Sequence, residues 1–191
     1  VKKYNLFGKF VVLYSGNMGR FHDLETLIKS SNHLKEHKDI VFLMIGGGYQ
    51  LDKLKELKFK FKLENITFLP FQDYSVIPES LTSADIATVS ISKNSEEIIT
   101  PSKMYGHLAA GTPIALISPK EFDLRGMIMK NKCGECFING DYKSLSEWII
   151  YLKNNKKVHN NFSKESRRLA EEISNPDKIA LRYSKIIHNL I

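Results

Sequence analysis

A glycine-containing loop after the first apolar run has residues that could bind an anionic group. The loop reads Ser15-Gly16-Asn17-Met18-Gly19-Arg20 and stands between a predicted strand and a predicted helix. Two glycines three positions apart let backbone N–H groups approach a ligand closely, and a helix N-terminus carries partial positive charge. Arg20 could add a guanidinium fork for a phosphate oxygen. The loop lacks the Gly-x-Gly-x-x-Gly and P-loop patterns, so a tight strand-to-helix turn is an equally good interpretation.

A second candidate segment, residues 101–113, combines a helix start with a basic side chain. Pro101 and Ser102 are typical of a first helical turn, and Gly111 ends the helix before the next strand. Lys103 would stand in the first turn, where a positive charge opposes the helix dipole. The unfavourable charge at this position indicates that Lys103 has an anion to bind.

Three consecutive glycines, Gly46-Gly47-Gly48, end the second predicted strand. Because glycine adopts positive φ without a steric penalty, a flexible turn is the preferred interpretation. The alternative is a close approach by a diphosphate or a sugar, which the missing side chains would permit.

The cysteines and histidines are weaker candidates for chemistry. Cys133 and Cys136 have C-x-x-C spacing, but one pair without further cysteines or clustered histidines is a poor zinc site. Partly buried structural cysteines are the preferred interpretation. Among the six histidines, His22 alone lies in a loop predicted to border a ligand. We therefore predict no metal site.

Short apolar strands alternate with amphipathic helices along the chain. The predicted strands are residues 10–15, 40–45, 66–69, 86–91, 113–117 and 136–138. The predicted helices are residues 24–34, 51–61, 102–110, 124–130, 145–152, 162–173 and 179–191, with a helical turn at 77–81. Such alternation predicts an α/β fold, a Rossmann-like parallel sheet with helices on both faces. Ligands of such sheets bind outside the carboxyl ends of the strands, where both candidate segments begin.

Composition and charge limit the classes of function. The 191 residues are 42% hydrophobic and 26% charged, which suffices for a buried core and predicts one domain. Two cysteines exclude a disulfide framework, and no apolar run is long enough for a membrane span. The net charge of +7 favours anionic partners. The basic residues are dispersed, with their densest cluster at helical spacing in residues 53–62, which argues against nucleic acid.

Several motifs together resemble the donor-binding domain of family-4 glycosyltransferases, which have the GT-B fold. The motifs are residues 14–19, 45–48, 66–70, 83–85, 101–113, 133–134 and 139–141, followed by Leu145. The resemblance implies a two-domain enzyme whose C-terminal half binds a nucleotide-sugar donor. We therefore expect residues 1–191 to be one donor-binding domain, with a core at 1–174 and a C-terminal crossover helix at 175–191. The N-terminal acceptor domain is expected to be absent from this chain.

The resemblance also implies how the motifs hold the donor. The donor diphosphate and sugar would lie beside Gly16, Asn17, Met18 and Gly19. Arg20 and Lys103 would neutralise the diphosphate leaving group, on which negative charge develops. Ser102 and the backbone N–H groups of Lys103 and Met104 would face phosphate. The base would be held, largely through backbone groups, by Leu69, Pro70, Phe71 and Gln72.

One departure from the family concerns ribose recognition. The family usually carries two glutamates, the second of which grips the donor ribose. Gly106 stands at the position of the second glutamate, and the first is Glu96 or Glu97, of which Glu97 is the catalytic candidate. His107, next to Gly106, could contact the ribose, although a structural role is preferred for it. The missing glutamate leaves the choice of nucleotide open.

The activity implied by the resemblance is retaining, metal-independent transfer of a hexosyl or N-acetylhexosaminyl group. The donor would be a nucleotide diphosphate sugar, with no cofactor because basic side chains replace a metal. The acceptor would be a saccharide or a lipid-linked saccharide in bacterial surface polysaccharide biosynthesis. We expect a cytoplasmic protein, with peripheral contact to the inner face of the membrane left open. This chain alone is expected to bind nucleotide without turnover.

Three other functions are compatible with parts of the pattern. A nucleotide-sugar epimerase of the same fold would need acid and base side chains at the sugar, which the sequence does not place. A non-catalytic α/β module that binds a phosphorylated ligand would bind nucleotide without preferring the sugar form. A dinucleotide oxidoreductase is disfavoured, because Gly46 stands where an acidic residue would close the second strand.

Overall fold

A parallel sheet positions the candidate loops. The computed structural model describes residues 6–93, 95 and 101–189, excluding the side chains of Lys178 and Arg182. Across this described part the strands are β1 (Phe10–Ser15), β2 (Ile40–Ile45), β3 (Ile66–Leu69), β4 (Ile86–Ser90), β5 (Ile114–Ser118) and β6 (Gly134–Ile138). The strand order is β3-β2-β1-β4-β5-β6, and every pairing is parallel. The predicted Rossmann-like α/β fold is therefore confirmed.

Helices connect the strands in the predicted alternation. They are α1 (Glu25–His33), α2 (Leu51–Lys60), α3 (Ile77–Thr82), α4 (Lys103–Ala109), α5 (Leu124–Asn131), α6 (Tyr142–Asn154), α7 (Lys156–Ile173) and α8 (Pro176–His188). A short 3-10 turn, Tyr74–Val76, precedes α3. In the described ranges, no helix is both long enough and apolar enough to cross a bilayer.

The sheet is buried on both faces, which explains the nearly continuous apolar runs of its strands. Along β1, Val12 and Tyr14 pack on the face that also buries Leu27 and Ile28 of α1. Val11 and Leu13 point to the opposite face and belong to a separate apolar cluster. Beyond β1 on that side, β4 and β5 pack against α4, α5 and α7. Helices therefore cover both faces, as the sequence predicts.

The strand order reverses at β1, which creates a crevice beside its carboxyl end. One branch of the sheet runs from β1 through β2 to β3, and the other runs through β4 and β5 to β6. In sheets of this kind ligands bind at the reversal point, where neighbouring loops diverge. The loop after β1 and the start of α4 both lie at this crevice.

Asp23 anchors the first helix to the far end of the sheet. Its Oδ1 accepts a hydrogen bond from the Thr26 amide at 3.1 Å, in the first turn of α1. Its Oδ2 accepts bonds from Thr26 Oγ1 at 2.6 Å and from Asn139 Nδ2 at 3.0 Å. Because Asn139 follows β6, these bonds fix the loop after β1 to the opposite branch of the sheet.

Candidate functional site

A cavity of about 720 Å³ opens at the reversal point of the sheet. Its walls come from the loop after β1, the start of α3 and the start of α4. Five of the residues predicted to bind the donor line this cavity: Gly16, Asn17, Ser102, Lys103 and His107. Residues 89 positions apart in sequence, Tyr14 and Lys103, meet at this site. The cavity is the candidate functional site.

Lys103 projects from the first turn of α4 against the glycine loop. Its Nζ donates a hydrogen bond to Tyr14 Oη at 2.7 Å and lies 4.1 Å from the centroid of the Tyr14 ring. A Cβ added to Gly16 would lie 3.3 Å from this Nζ, so the ammonium group sits directly beside the loop. Within the described residues no carboxylate forms an ion pair with Lys103. Burial lowers the pKa of Lys103 to about 8.

Tyr14 connects the basic side chain to the loop. Its side chain is fully buried at the end of β1, and its Oη donates to the Asn17 carbonyl at 2.6 Å. Since a phenol has one proton to donate, the same oxygen accepts the bond from Lys103. Burial raises the pKa of Tyr14 well above its ordinary value of 10.0, so the phenol stays protonated. Tyr14 was not predicted as a site residue, and its only sequence signal is a hydroxyl-bearing aromatic beside the glycine loop.

His22 is a second residue that the sequence analysis did not assign to the donor site. It is largely buried, and its Nδ1 lies 2.7 Å from the Ser90 carbonyl oxygen at the end of β4. Its ring stands edge-on to Tyr14, with centroids 6.1 Å apart. Burial, and secondly the charge of Lys103, lowers the pKa of His22 below its ordinary value. The imidazole therefore stays neutral near pH 7.

His107 lies inside the fold and lines the cavity from α4. The ring is fully buried, and in the described part of the chain neither ring nitrogen has a hydrogen-bond partner. Burial, followed by the charge of Lys103, lowers its pKa to about 4. This position agrees with the preferred structural role, while contact with a ribose stays a prediction.

Three residues of the predicted phosphate site have other partners. Arg20 is exposed, with its guanidinium carbon 3.9 Å from the centroid of the Tyr49 ring, and it does not line the cavity. Met18 is fully buried, and its amide donates to the Gly47 carbonyl at 2.7 Å. Any contribution of Met18 to donor binding therefore cannot come from a free amide. Gly19, the last glycine of the loop, accepts a hydrogen bond from Gln50 through its carbonyl.

The first turn of α4 contains an amide that was predicted to face a phosphate. The Met104 amide donates to the Pro101 carbonyl at 3.1 Å, and the Met104 side chain is fully buried. The Met104 N–H is therefore used within the turn in this structure, and its contact with a phosphate stays a prediction. The tight first turn uses the amide locally, which leaves the Lys103 side chain and the exposed Ser102 at the cavity.

The turn of three glycines makes a close contact with the chain itself. Gly46 and Gly48 have φ values of +129° and +133°, which side chains rarely adopt. A Cβ added to Gly46 would overlap the Gly16 carbonyl oxygen and lie 2.9 Å from the carbonyl carbon. The glycines therefore permit contact between the loops after β2 and β1. The turn is thus packed against the loop after β1, and the close approach of a diphosphate or a sugar stays a prediction.

The segment predicted to hold the base lies beside the turn of three glycines. Its only exposed aromatic ring, that of Phe71, is 65% exposed and rests against Gly46 and Gly47. The Leu69 carbonyl already accepts from the Gly46 amide at 2.9 Å, and Gln72 Nε2 donates to the Pro70 carbonyl at 2.7 Å. The expected use of backbone groups is therefore restricted, and the Phe71 ring is the group available for stacking.

The remaining predictions concern two glutamates, two cysteines and the expected lack of a metal site. Glu96 and Glu97 lie outside the described residues, so the catalytic assignment of Glu97 stays a prediction. Cys133 is buried and Cys136 is partly buried, both with free thiols whose pKa values burial raises to about 11 and about 12. Their structural interpretation agrees with these positions. In the described ranges no three His, Cys, Asp or Glu residues form a group that could hold a metal ion.

Comparisons with known proteins identify relatives of the chain. The glycosyl transferases group 1 family matches residues 2–169. Over 103 residues the chain is 30% identical to Escherichia coli K12 WcaI, named as a colanic acid biosynthesis glycosyl transferase. Over 130 residues it is 25% identical to Pseudomonas aeruginosa WbjE, named as a glycosyltransferase. These matches cover 54% and 66% of this chain but only 25% and 32% of those proteins.

A solved structure shares the fold of the chain. The structure of Anabaena HepE in complex with UDP-glucose matches with a TM-score of 0.79 and 14% sequence identity. The match covers 96% of this chain and 51% of HepE, so the chain corresponds to one half of a GT-B glycosyltransferase fold. The family resemblance predicted from the sequence motifs is confirmed by the match to residues 2–169. The chain belongs to the glycosyl transferases group 1 family.

Proposed function

We propose that this chain is the donor-binding part of a retaining glycosyltransferase. A nucleotide diphosphate sugar binds with its diphosphate in the cavity between the loop after β1 and the start of α4. The observation that carries the proposal is the partly buried ammonium group of Lys103, which lines this cavity without a carboxylate partner among the described residues.

The chemistry of sugar transfer fits a partly buried lysine. When the sugar leaves its donor, negative charge develops on the diphosphate, and a prearranged cation stabilises that charge. Lys103 is held by the Tyr14 hydroxyl, so little reorganisation is needed when the diphosphate arrives. Its partial desolvation strengthens the attraction, because water screens the interaction less. In this proposal the cationic side chain serves in place of a bound metal, and the diphosphate assists attack on the face from which it departs.

The rest of the donor is assigned by the order of the loops. The base lies toward β3, where the exposed ring of Phe71 offers a stacking surface. HepE, which shares the fold, was solved with UDP-glucose, and this supports a nucleotide-sugar donor. The name of WcaI refers to colanic acid biosynthesis, and this supports a saccharide acceptor in bacterial surface polysaccharide synthesis. The acceptor would be bound by a second domain outside this chain.

Calorimetric titration with UDP, GDP, ADP and UDP-N-acetylglucosamine tests the proposal. We expect selective binding of one diphosphate, because the segment at Phe71 presents a particular surface to the base. Equal affinity for a diphosphate and for its sugar form would favour a non-catalytic phospholigand-binding module. No binding of any compound at about millimolar concentration would contradict the proposed donor site.

The affinity for the diphosphate should fall as the pH rises from about 7 to about 10. The pKa of Lys103 is lowered to about 8, so the free chain loses this charge across that range. A bound diphosphate favours the charged form, so binding above pH 8 takes up a proton and becomes weaker. Titrations at several pH values check this. The Lys103→Arg variant keeps its charge and should show a flatter profile; an equally steep profile in both proteins would exclude Lys103 as the cause.

A further inference from the structure

The tautomer of His22 is fixed by its contact with β4. A carbonyl oxygen can only accept a hydrogen bond, so the Nδ1 atom 2.7 Å from the Ser90 oxygen must carry the proton. A neutral imidazole then has its lone pair on Nε2. In the described part of the chain no group donates a hydrogen bond to this Nε2. The ring therefore offers an unused acceptor to whatever occupies the site.

His22 stands between two cavities. It lines the cavity of Lys103 and also a second one, of about 330 Å³. The second cavity is bordered by the side chains of Asp23, Ser92 and Asn139. The Asn139 Oδ1 is buried, and within the described residues it has no hydrogen-bond partner. The two residues that carry these acceptors thus line the same cavity.

A ligand that satisfies these groups must donate hydrogen bonds. Phosphate oxygens are acceptors and do not fit an imidazole lone pair or an amide oxygen. Sugar hydroxyls donate hydrogen bonds. A ligand that leaves buried polar groups of a site without a hydrogen bond binds much more weakly than one that pairs with them. We propose that His22 Nε2, together with Asn139 Oδ1, accepts hydrogen bonds from the donor's sugar and so helps to select that sugar. This inference rests on the proposed function.

The order of the strands decides which end of the donor reaches His22. In a nucleotide diphosphate sugar the diphosphate separates the base from the sugar. The segment at Phe71 follows β3, on one side of Lys103, whereas Ser90 ends β4 and Asn139 follows β6 on the other branch of the sheet. With the base toward β3 and the diphosphate at Lys103, the sugar falls on the side of His22. The acceptors therefore face the sugar, and the ribose hydroxyls lie on the opposite side.

The test compares UDP with UDP-glucose by calorimetry, in the native chain and in two variants. The native chain should bind UDP-glucose more tightly than UDP. His22→Phe keeps an aromatic ring but has no acceptor, so it should lose about fivefold in affinity for UDP-glucose, with UDP affinity little changed. His22→Gln retains an amide oxygen and should recover part of the preference. His37→Phe, at an exposed histidine remote from both cavities, is the matched control.

A measurement on the native chain does not depend on how the variants fold. Nitrogen NMR of the imidazole should show the Nδ1-protonated tautomer, and the Nε2 resonance should move with UDP-glucose but not with UDP. An unchanged preference in His22→Phe, or an Nε2 resonance insensitive to UDP-glucose, would overturn the role of His22. Failure of the native chain to bind UDP or any other diphosphate would instead contradict the proposed function, and the inference with it.

Discussion

Replacing Lys103 with alanine should weaken diphosphate binding by about 10- to 100-fold. The variant removes the partly buried ammonium group that the proposal places against the diphosphate. A hydrogen bond to a charged group contributes about 1.5–3 kcal/mol, which corresponds to that range of affinity. Calorimetric titration of the native and variant chains with the best-binding diphosphate measures the effect. Arg20→Ala should have a smaller effect, because Arg20 is exposed and its guanidinium group stacks on Tyr49.

The controls for this prediction separate binding from folding. Lys103→Ala should not lower the free energy of unfolding, because the charged form is disfavoured by burial and Tyr14 keeps its bond to the Asn17 carbonyl. Lys130→Ala, at an exposed position on α5, removes the same charge away from the cavity and should bind normally. Equal affinity of native chain and Lys103→Ala would remove Lys103 from the site, even if nucleotide still bound.

Replacing Gly46 with alanine should lower the free energy of unfolding by about 3 kcal/mol or more. The residue has φ of +129°, and an added Cβ would overlap the Gly16 carbonyl oxygen. Backbone strain of this kind costs about 1–3 kcal/mol, and the overlap with a backbone atom adds to it. Because Gly16 lies against the Lys103 ammonium group, displacing it should also weaken diphosphate binding. Urea unfolding followed by circular dichroism measures the loss of stability.

Gly126→Ala provides the matched glycine control. Gly126 lies in α5, is exposed, and has no atom within 4 Å of its added Cβ. Alanine in a helix interior is more favourable than glycine by about 0.5–1 kcal/mol, so this variant should gain stability. If Gly46→Ala unfolded at the same urea concentration as the native chain, the close packing of the loops after β1 and β2 would be contradicted.

The strands were predictable because a strand that is buried on both faces has an almost continuous run of apolar residues. β1 and β2 lie in the middle of the sheet with both faces covered, so every position had to be apolar or nearly so. Their observed bounds agree with the predicted ones. Boundaries are less well predicted for α6, which begins at Tyr142 rather than at residue 145. The Asp141 side chain caps it by accepting from the Ser144 amide, so capping and not apolar spacing sets its start.

The partners of the site residues depend on contacts that sequence spacing does not record. His22 is bound to Ser90, and Lys103 to Tyr14, across 68 and 89 positions of the chain. The glycine loop indicated a phosphate cradle, but part of it is used for packing against Gly46. Residue type therefore indicated several of the residues that line the cavity, and tertiary packing decides which groups stay available there.

The central claim is that a nucleotide diphosphate binds between the loop after β1 and the start of α4. Its most direct test is a proton–nitrogen correlation spectrum of the chain, titrated with the diphosphate that binds best. We predict shifts for the amides of Gly16, Asn17 and Lys103, and none for Gly126 on the remote helix α5. Saturable shifts confined to another surface, such as the cleft between α4 and α7 at Arg167, would contradict the claim.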